Sequence, residues 1–232
     1  MKKKILILAG GFSREREISL KTAKGVYNQI KQKYYVKICE PNGDLIKNLR
    51  SFQPDVVFNA LHGRYGEDGY VQSILESEKI KYTHSGVLSS AIAIDKEISK
   101  NIFIKKNILT PKYFKFKFNK FIKKSELKKK IKSKLSFPVV IKPFNEGSSV
   151  EVYICSEKNL FKKLSKLSPY KEIMIEKYIP GREIQVAIMG KRKLGAIELV
   201  PKRKFYDYQA KYDVKSKTKH IIPVKIGKKK MK

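Results

Sequence analysis

A chain of 232 residues with 41% hydrophobic and 11% aromatic content can bury a sizeable core, which excludes a disordered polymer. No run of about 18 apolar residues occurs, so no membrane-spanning helix is expected. The net charge of +32 raises a nucleic-acid role, but lysine supplies nearly all of it and arginine only seven residues. Readers of phosphates and bases lean on arginine forks within a defined module. No such module is visible, so the charge reads as a composition bias on solvated faces that attracts anionic ligands at long range. A polycation that binds nucleic acid by charge alone is the alternative of another class, recognisable by a steep salt dependence.

Residues 1–94 alternate strands and helices. The runs 5–9, 36–39 and 56–61 are short and apolar, as in parallel strands buried on both faces. Three lysines before residues 5–9 imitate a signal peptide, but that run meets Gly10-Gly11 and the charged 14–17 stretch, which fits a buried first strand. Ile18, Ala23, Val26, Tyr27 and Ile30 make a helical stripe. A second helix is predicted over 69–79, with Val71, Ile74 and Leu75 inward. This alternation argues for an α/β layer architecture. The two cysteines, Cys39 and Cys155, lie in strand-like stretches, so a reduced, cytoplasmic setting is expected in place of a disulfide framework.

From residue 95 the pattern changes. Residues 113–118 alternate aromatic and lysine, the mark of a half-buried antiparallel strand. Residues 120–134 are mostly lysine and read as an exposed helix or loop. Strands are predicted over 137–142, 150–155 and 173–178, with Ser156 capping a helix that carries Leu160, Phe161, Leu164 and Leu167. A hairpin follows, 183–189 and 194–200 around Gly190-Lys191.

Five stretches carry chemistry. Residues 9–17 place a Gly-Gly turn between a strand and a helix, where unpaired N–H groups face an anion; many such turns are only turns. Residues 60–69 put three glycines, His62, Glu67 and Asp68 at a strand's carboxyl end, where open α/β sheets bind ligands. In 137–150 a strand delivers Lys142 and a loop then supplies Gly147, Ser148 and Ser149, a set suited to polyphosphate yet unlike the P-loop pattern. Residues 175–183 lead from a strand through a bend to Glu183, which alone would pass for a domain crossover. Residues 205–212 gather four aromatics with no clean period, as in a loop that folds over a ligand.

Taken together, Arg14–Ser19, the His62-Gly63 and Gly66–Gly69 pieces, Asp95-Lys96, Glu146–Val150 and residues 205–212 resemble the D-alanine–D-alanine ligase family, over Lys4 to about Pro223. The resemblance implies an ATP-grasp architecture: a parallel-sheet α/β domain over 1–94, a central α+β domain over 95–178, and an incomplete C-terminal ATP-grasp domain over 179–232. It implies ATP and Mg²⁺ as cofactors, two D-alanine molecules as substrates, and a homodimer in the full-length family. The product is the dipeptide of peptidoglycan precursors, made through an acyl phosphate. Lys96, Lys142 and Lys211 would meet the phosphates, and Glu146, Gly147, Ser148 and Ser149 the loop over them. Glu176, Lys177 and Ile179 would line the adenine pocket, Glu183 would meet the ribose, and Tyr206 would contact the nucleotide from the lid. Glu15 would hold the ammonium of the first D-alanine beside His62, with Ser148 and Tyr212 completing the catalytic set.

Departures accompany the match. The family's metal-binding carboxylates have no counterpart here: after Glu183 the acids are Glu198, Asp207 and Asp213. The chain is therefore expected to be a fragment that lacks its metal site and does not turn over. His84 and Glu151 each stand where the family usually has glycine, and Glu151 sets a negative charge beside the phosphate loop. A D-alanine–D-lactate ligase is the rival within enzymes, though Tyr212 matches the dipeptide version. A non-catalytic binding protein is the rival outside them.

Overall fold

The computed structural model describes residues 2–118, 123–202, 211 and 218–225. It contains two compact units, residues 1–110 with 143–147, and residues 111–142 with 148–232. The expected boundary at 94/95 thus falls inside the first unit, between two of its helices.

The first unit runs β1 (Lys4–Leu8), α1 (Arg16–Ile30), β2 (Tyr35–Cys39), α2 (Leu45–Phe52), β3 (Val56–Asn59), α3 (Tyr70–Ser77), α4 (Val87–Ile94) and α5 (Lys96–Lys105). Its sheet is parallel, in the order β2-β1-β3. Successive β1 residues serve opposite faces. Leu6 and Leu8 pack with Leu49, Val57, Val71 and Leu75, while Ile7 packs with Ala9, Ala23 and Ala60. Both faces are covered, so the strand reads as one unbroken apolar run. Each buried leucine, isoleucine or valine among them contributes about 1.5–3 kcal/mol through burial.

Helices α2, α4 and α5 were not foreseen. Helix α4 is apolar almost throughout and shows no stripe. Helix α5 turns Ile98, Ile102 and Phe103 outward, 46%, 36% and 40% exposed, so its apolar residues do not mark the inner face. The legible signal was its cap: Asp95 Oδ1 accepts from the N–H groups of Glu97 at 2.8 Å and Ile98 at 3.0 Å.

The second unit comprises β4 (Tyr113–Lys117), α6 (Lys124–Lys134), β5 (Val139–Lys142), β6 (Tyr153–Cys155), α7 (Leu160–Leu164), β7 (Glu172–Lys177), β8 (Glu183–Met189), β9 (Arg192–Val200) and β10 (Lys219–Ile221). Strands β4-β7-β5-β6 form an antiparallel sheet, and β10-β9-β8 a second one. Val139, Ile141, Ile173 and Ile175 pack against Leu127, Ile131, Leu160 and Leu164. The lysine-rich 120–134 stretch therefore does more than cover a surface, because Leu127 and Ile131 of α6 enter the core.

Two local readings are corrected. The strand expected over 150–155 shrinks to three residues, since Ser148, Ser149 and Glu151 adopt positive φ. Ser156 does not cap α7 through its side chain; Asn159 occupies the cap position, without a side-chain hydrogen bond. Cys39 and Cys155 are both free thiols, and burial is the main cause that raises each pKa, that of Cys155 to about 12. Among the described residues no helix is long and apolar enough to cross a membrane.

Candidate functional site

In the first unit the segment after β3 is wired from within. Buried Asn59 donates from Nδ2 to the Gly66 carbonyl at 2.8 Å, and its Oδ1 accepts from the Leu61 N–H at 3.1 Å. Gln72 donates to the same Gly66 carbonyl at 2.8 Å. Glu67 accepts from the Gly63 N–H, and Asp68 from those of Tyr65 and Tyr70. Every acid of this motif thus meets a backbone donor, and the turn is fixed before any ligand arrives.

The segment before α1 is tied to it by two serines. Ser19 Oγ accepts from the Gly10 N–H at 2.8 Å and donates to the Ala60 carbonyl at 2.7 Å. Ser13 Oγ accepts from the Glu15 N–H at 3.1 Å and donates to the His62 carbonyl at 2.7 Å. Glu15 is 4% exposed and its side chain does not cap α1. A Cβ added at Gly63 would lie 3.0 Å from Glu15 Oε2, and one at Gly147 would lie 3.2 Å from it. Glycine at both positions leaves room for this carboxylate, and Gly63 also has φ of +69°. The His62 ring pairs with Thr22 Oγ1 at 3.2 Å. It lines a cavity of about 450 Å³ with Phe58, Ala60, Gln72 and His84.

Lys96 was expected at the phosphates. Its ammonium donates to the carbonyls of Phe144 and Glu146, so in this structure it pins the loop that precedes Gly147. His84, with φ of +79°, meets the Asn59 carbonyl at 2.7 Å and packs edge-on against Phe58.

In the second unit Lys142, at the end of β5, forms an ion pair with Glu176 on the neighbouring β7, both largely buried. Ser148 and Ser149 follow with φ of 44° and 61°. Lys177 is exposed, and Ile179 is 57% exposed. Glu183 has a largely open residue surface, yet its neighbours desolvate the carboxyl enough to raise its pKa, while Lys211 pulls it back down. Lys211 therefore stands within electrostatic reach of Glu183. Tyr206 and Tyr212 lie outside the described residues, as do Asp207 and Asp213. Glu198 is engaged by Arg182 in a two-pronged pair at 2.6 and 2.5 Å, which lowers its pKa. Among the described residues no group of three or more His, Cys, Asp or Glu side chains gathers to hold a metal ion. The residues that sequence reasoning passed over are those that brace others: Ser13, Thr22, Asn59 and Gln72. Asn59 alone left a trace, as a polar residue closing an apolar strand.

A parallel α/β layer with a wired carboxylate turn, and an antiparallel sheet with a lysine at a strand end ahead of a serine loop, make up an ATP-grasp ligase fold. Comparison with known proteins narrows the class. The chain matches the family models "D-ala D-ala ligase C-terminus" over residues 102–232 and "D-ala D-ala ligase N-terminus" over 45–85. It is 62% identical over 229 residues to the D-alanine–D-alanine ligase of Pelagibacter ubique, covering 98% of this chain and 75% of that protein. Among solved structures it resembles the D-alanine–D-alanine ligase of Bacillus anthracis, with a TM-score of 0.78 and 35% identity, covering 97% of this chain and 73% of that one. The same enzyme complexed with ATP gives a TM-score of 0.74 and 30% identity over 97% and 72%. The chain belongs to the D-alanine–D-alanine ligase family.

Proposed function

We propose that this chain serves the joining of two D-alanines at the expense of ATP, in the cytoplasm, for peptidoglycan precursors. The carboxylate of the first D-alanine takes the terminal phosphoryl group of ATP, and the amine of the second displaces phosphate. The observation that carries this reading is the Glu15 carboxylate, buried in the first unit and flanked by two glycines whose missing side chains leave it space. A buried carboxylate can bind the ammonium of a small amino acid, because a charge-assisted bond offsets loss of solvent.

The remaining residues divide by charge. Lys142 binds phosphate oxygens; an ammonium has three donors, so it can hold Glu176 and a phosphate together. Lys96 acts on the phosphates through the loop it pins, and Lys211 brings its charge to the nucleotide beside Glu183, which meets the ribose. Glu146, Gly147, Ser148 and Ser149 cover the phosphates. Glu176, Lys177 and Ile179 receive the adenine, and Tyr206 contacts the nucleotide from the lid. His62 orients the first D-alanine, and Ser148 and Tyr212 keep their catalytic role. Such catalysis rests on positioning and on neutralising charge. Magnesium would add to the latter, but the described residues supply no ligand set for it. A homodimer is the assembly we infer.

The test is phosphate release from ATP that depends on D-alanine and not on L-alanine. It is run on this chain and on the chain joined to the remainder of the Pelagibacter sequence. Lys142→Ala should weaken ATP binding by ~1.5–3 kcal/mol, the worth of a charge-assisted contact. Because that change also takes a charged partner from buried Glu176, the double variant with Glu176→Gln is compared by calorimetry. No D-alanine-dependent release from either protein would end the proposal, and equal ATP affinity in parent and variants would remove Lys142 from the site.

A further inference from the structure

The two groups assigned to the first D-alanine stand on different elements: Glu15 at the opening of α1, His62 after β3. One side chain touches the backbone of both. The Ser13 hydroxyl donates to the His62 carbonyl at 2.7 Å and accepts from the Glu15 N–H at 3.1 Å. A hydroxyl can do both at once, and an aliphatic side chain can do neither. Ser13 Cβ also lies 3.5 Å from the point where a side chain on Gly63 would begin, the same point that Glu15 Oε2 approaches to 3.0 Å. Ser13, Glu15 and Gly63 therefore close one small triangle.

We propose that Ser13 is a positioning residue that sets the spacing between the Glu15 carboxylate and His62. The inference rests on the reading of Glu15 as the ammonium-binding group. Ser13 is not needed merely to hold the two segments together. Ser19, fully buried, already links them one helical turn deeper, from the Gly10 N–H to the Ala60 carbonyl. The start of α1 is further secured by backbone bonds, Arg16 N–H to the Ser13 carbonyl and Ser19 N–H to that of Glu15. Ser13 forms the outer link, next to the carboxylate.

The experiment titrates isotopically labelled full chain with D-alanine to high millimolar concentration, following backbone amide shifts, with ATP affinity and thermal melting recorded on the same samples. Ser13→Ala should weaken D-alanine binding by roughly 5- to 10-fold, the effect of one lost neutral hydrogen bond, and leave ATP affinity unchanged. Ser13→Thr should restore it. In a Glu15→Gln background, Ser13→Ala should add little, because the two act through one geometry. Ser19→Ala is the contrast: the melting temperature falls, while D-alanine and ATP affinities keep their ratio. Parental D-alanine affinity in Ser13→Ala, alongside loss in Glu15→Gln, overturns the role of Ser13 alone. So does failure of Ser13→Ala to fold, or equal loss of both ligands, since either marks a structural residue. If Glu15→Gln binds D-alanine as the parent does, or the parent binds none, the reading beneath the inference falls and takes it along.

Discussion

Two loops that follow strands in this chain are built in opposite ways. The 60–69 segment after β3 has its backbone groups met by Asn59, Gln72, Glu67 and Asp68. Two of its positive φ angles fall on glycines, Gly63 and Gly69, with Tyr65 the exception. The 143–151 segment after β5 instead puts positive φ on three residues that carry side chains, Ser148, Ser149 and Glu151. L-residues lose roughly 1–2 kcal/mol each in that region. A loop of the first kind keeps its geometry with nothing bound. A loop of the second kind stores strain that its surroundings must over-determine, and such strain gathers at binding sites.

The comparison breaks most visibly at Asn59. Asn59→Ala removes two buried hydrogen bonds and leaves the Leu61 N–H unmet, so folding stability should drop by about 2–4 kcal/mol. Chemical denaturation measures it, and a drop below about 1 kcal/mol would mean the segment is not held from within. Gln72 sharpens the point. Its Nε2 bonds to Gly66, but its buried Oε1 has no partner among the described residues. Gln72→Leu loses one bond and also removes one unmet acceptor, so stability should stay within about 1 kcal/mol of the parent. A loss as large as that of Asn59→Ala would show that the two braces are equivalent.

What the sequence revealed follows the same division. Strand β1 was legible because burial on both faces leaves an unbroken apolar run, and β3 and β5 were legible as short apolar stretches that end in a polar residue. The motifs were legible as residue types in order, so Glu15, His62, Lys142 and the serine loop could be named. The bracing was not legible, since Ser13 meets His62 across a separation of 49 residues that no local pattern encodes. Lys96 could be expected near phosphates, but its carbonyl partners at Phe144 and Glu146 exist only in the fold. The two departures from the family's glycines gained a physical meaning here. His84 and Glu151 have φ of 79° and 54°, which is where glycine costs least.

Glu151 gives the smallest expected effect and separates strain from charge. Its carboxylate accepts from the Tyr153 hydroxyl. The Tyr153 pKa is raised to about 12, first by burial and then by this bond. Glu151→Gly removes the strain, worth roughly 1 kcal/mol, and also one hydrogen bond worth about the same, so stability should move by less than about 1 kcal/mol. Glu151→Gln removes the charge but keeps the strain. Both variants should bind ATP roughly 2- to 5-fold more tightly, the gain from lifting one partly screened negative charge near phosphates. Glu151→Gly should exceed Glu151→Ala, which loses the same charge and bond but keeps the strain, by about 1 kcal/mol in stability. The alkaline limb gives a second readout. A tyrosine whose folded pKa is raised stabilises the fold fully below its ordinary value near 10, and that contribution is lost as pH climbs toward about 12. In Glu151→Gly the loss should shrink without vanishing, because burial, the larger cause, persists. Equal stability of Glu151→Gly and Glu151→Ala would mean that positive φ at residue 151 costs nothing, and the 143–151 segment would then be no more strained than the 60–69 turn.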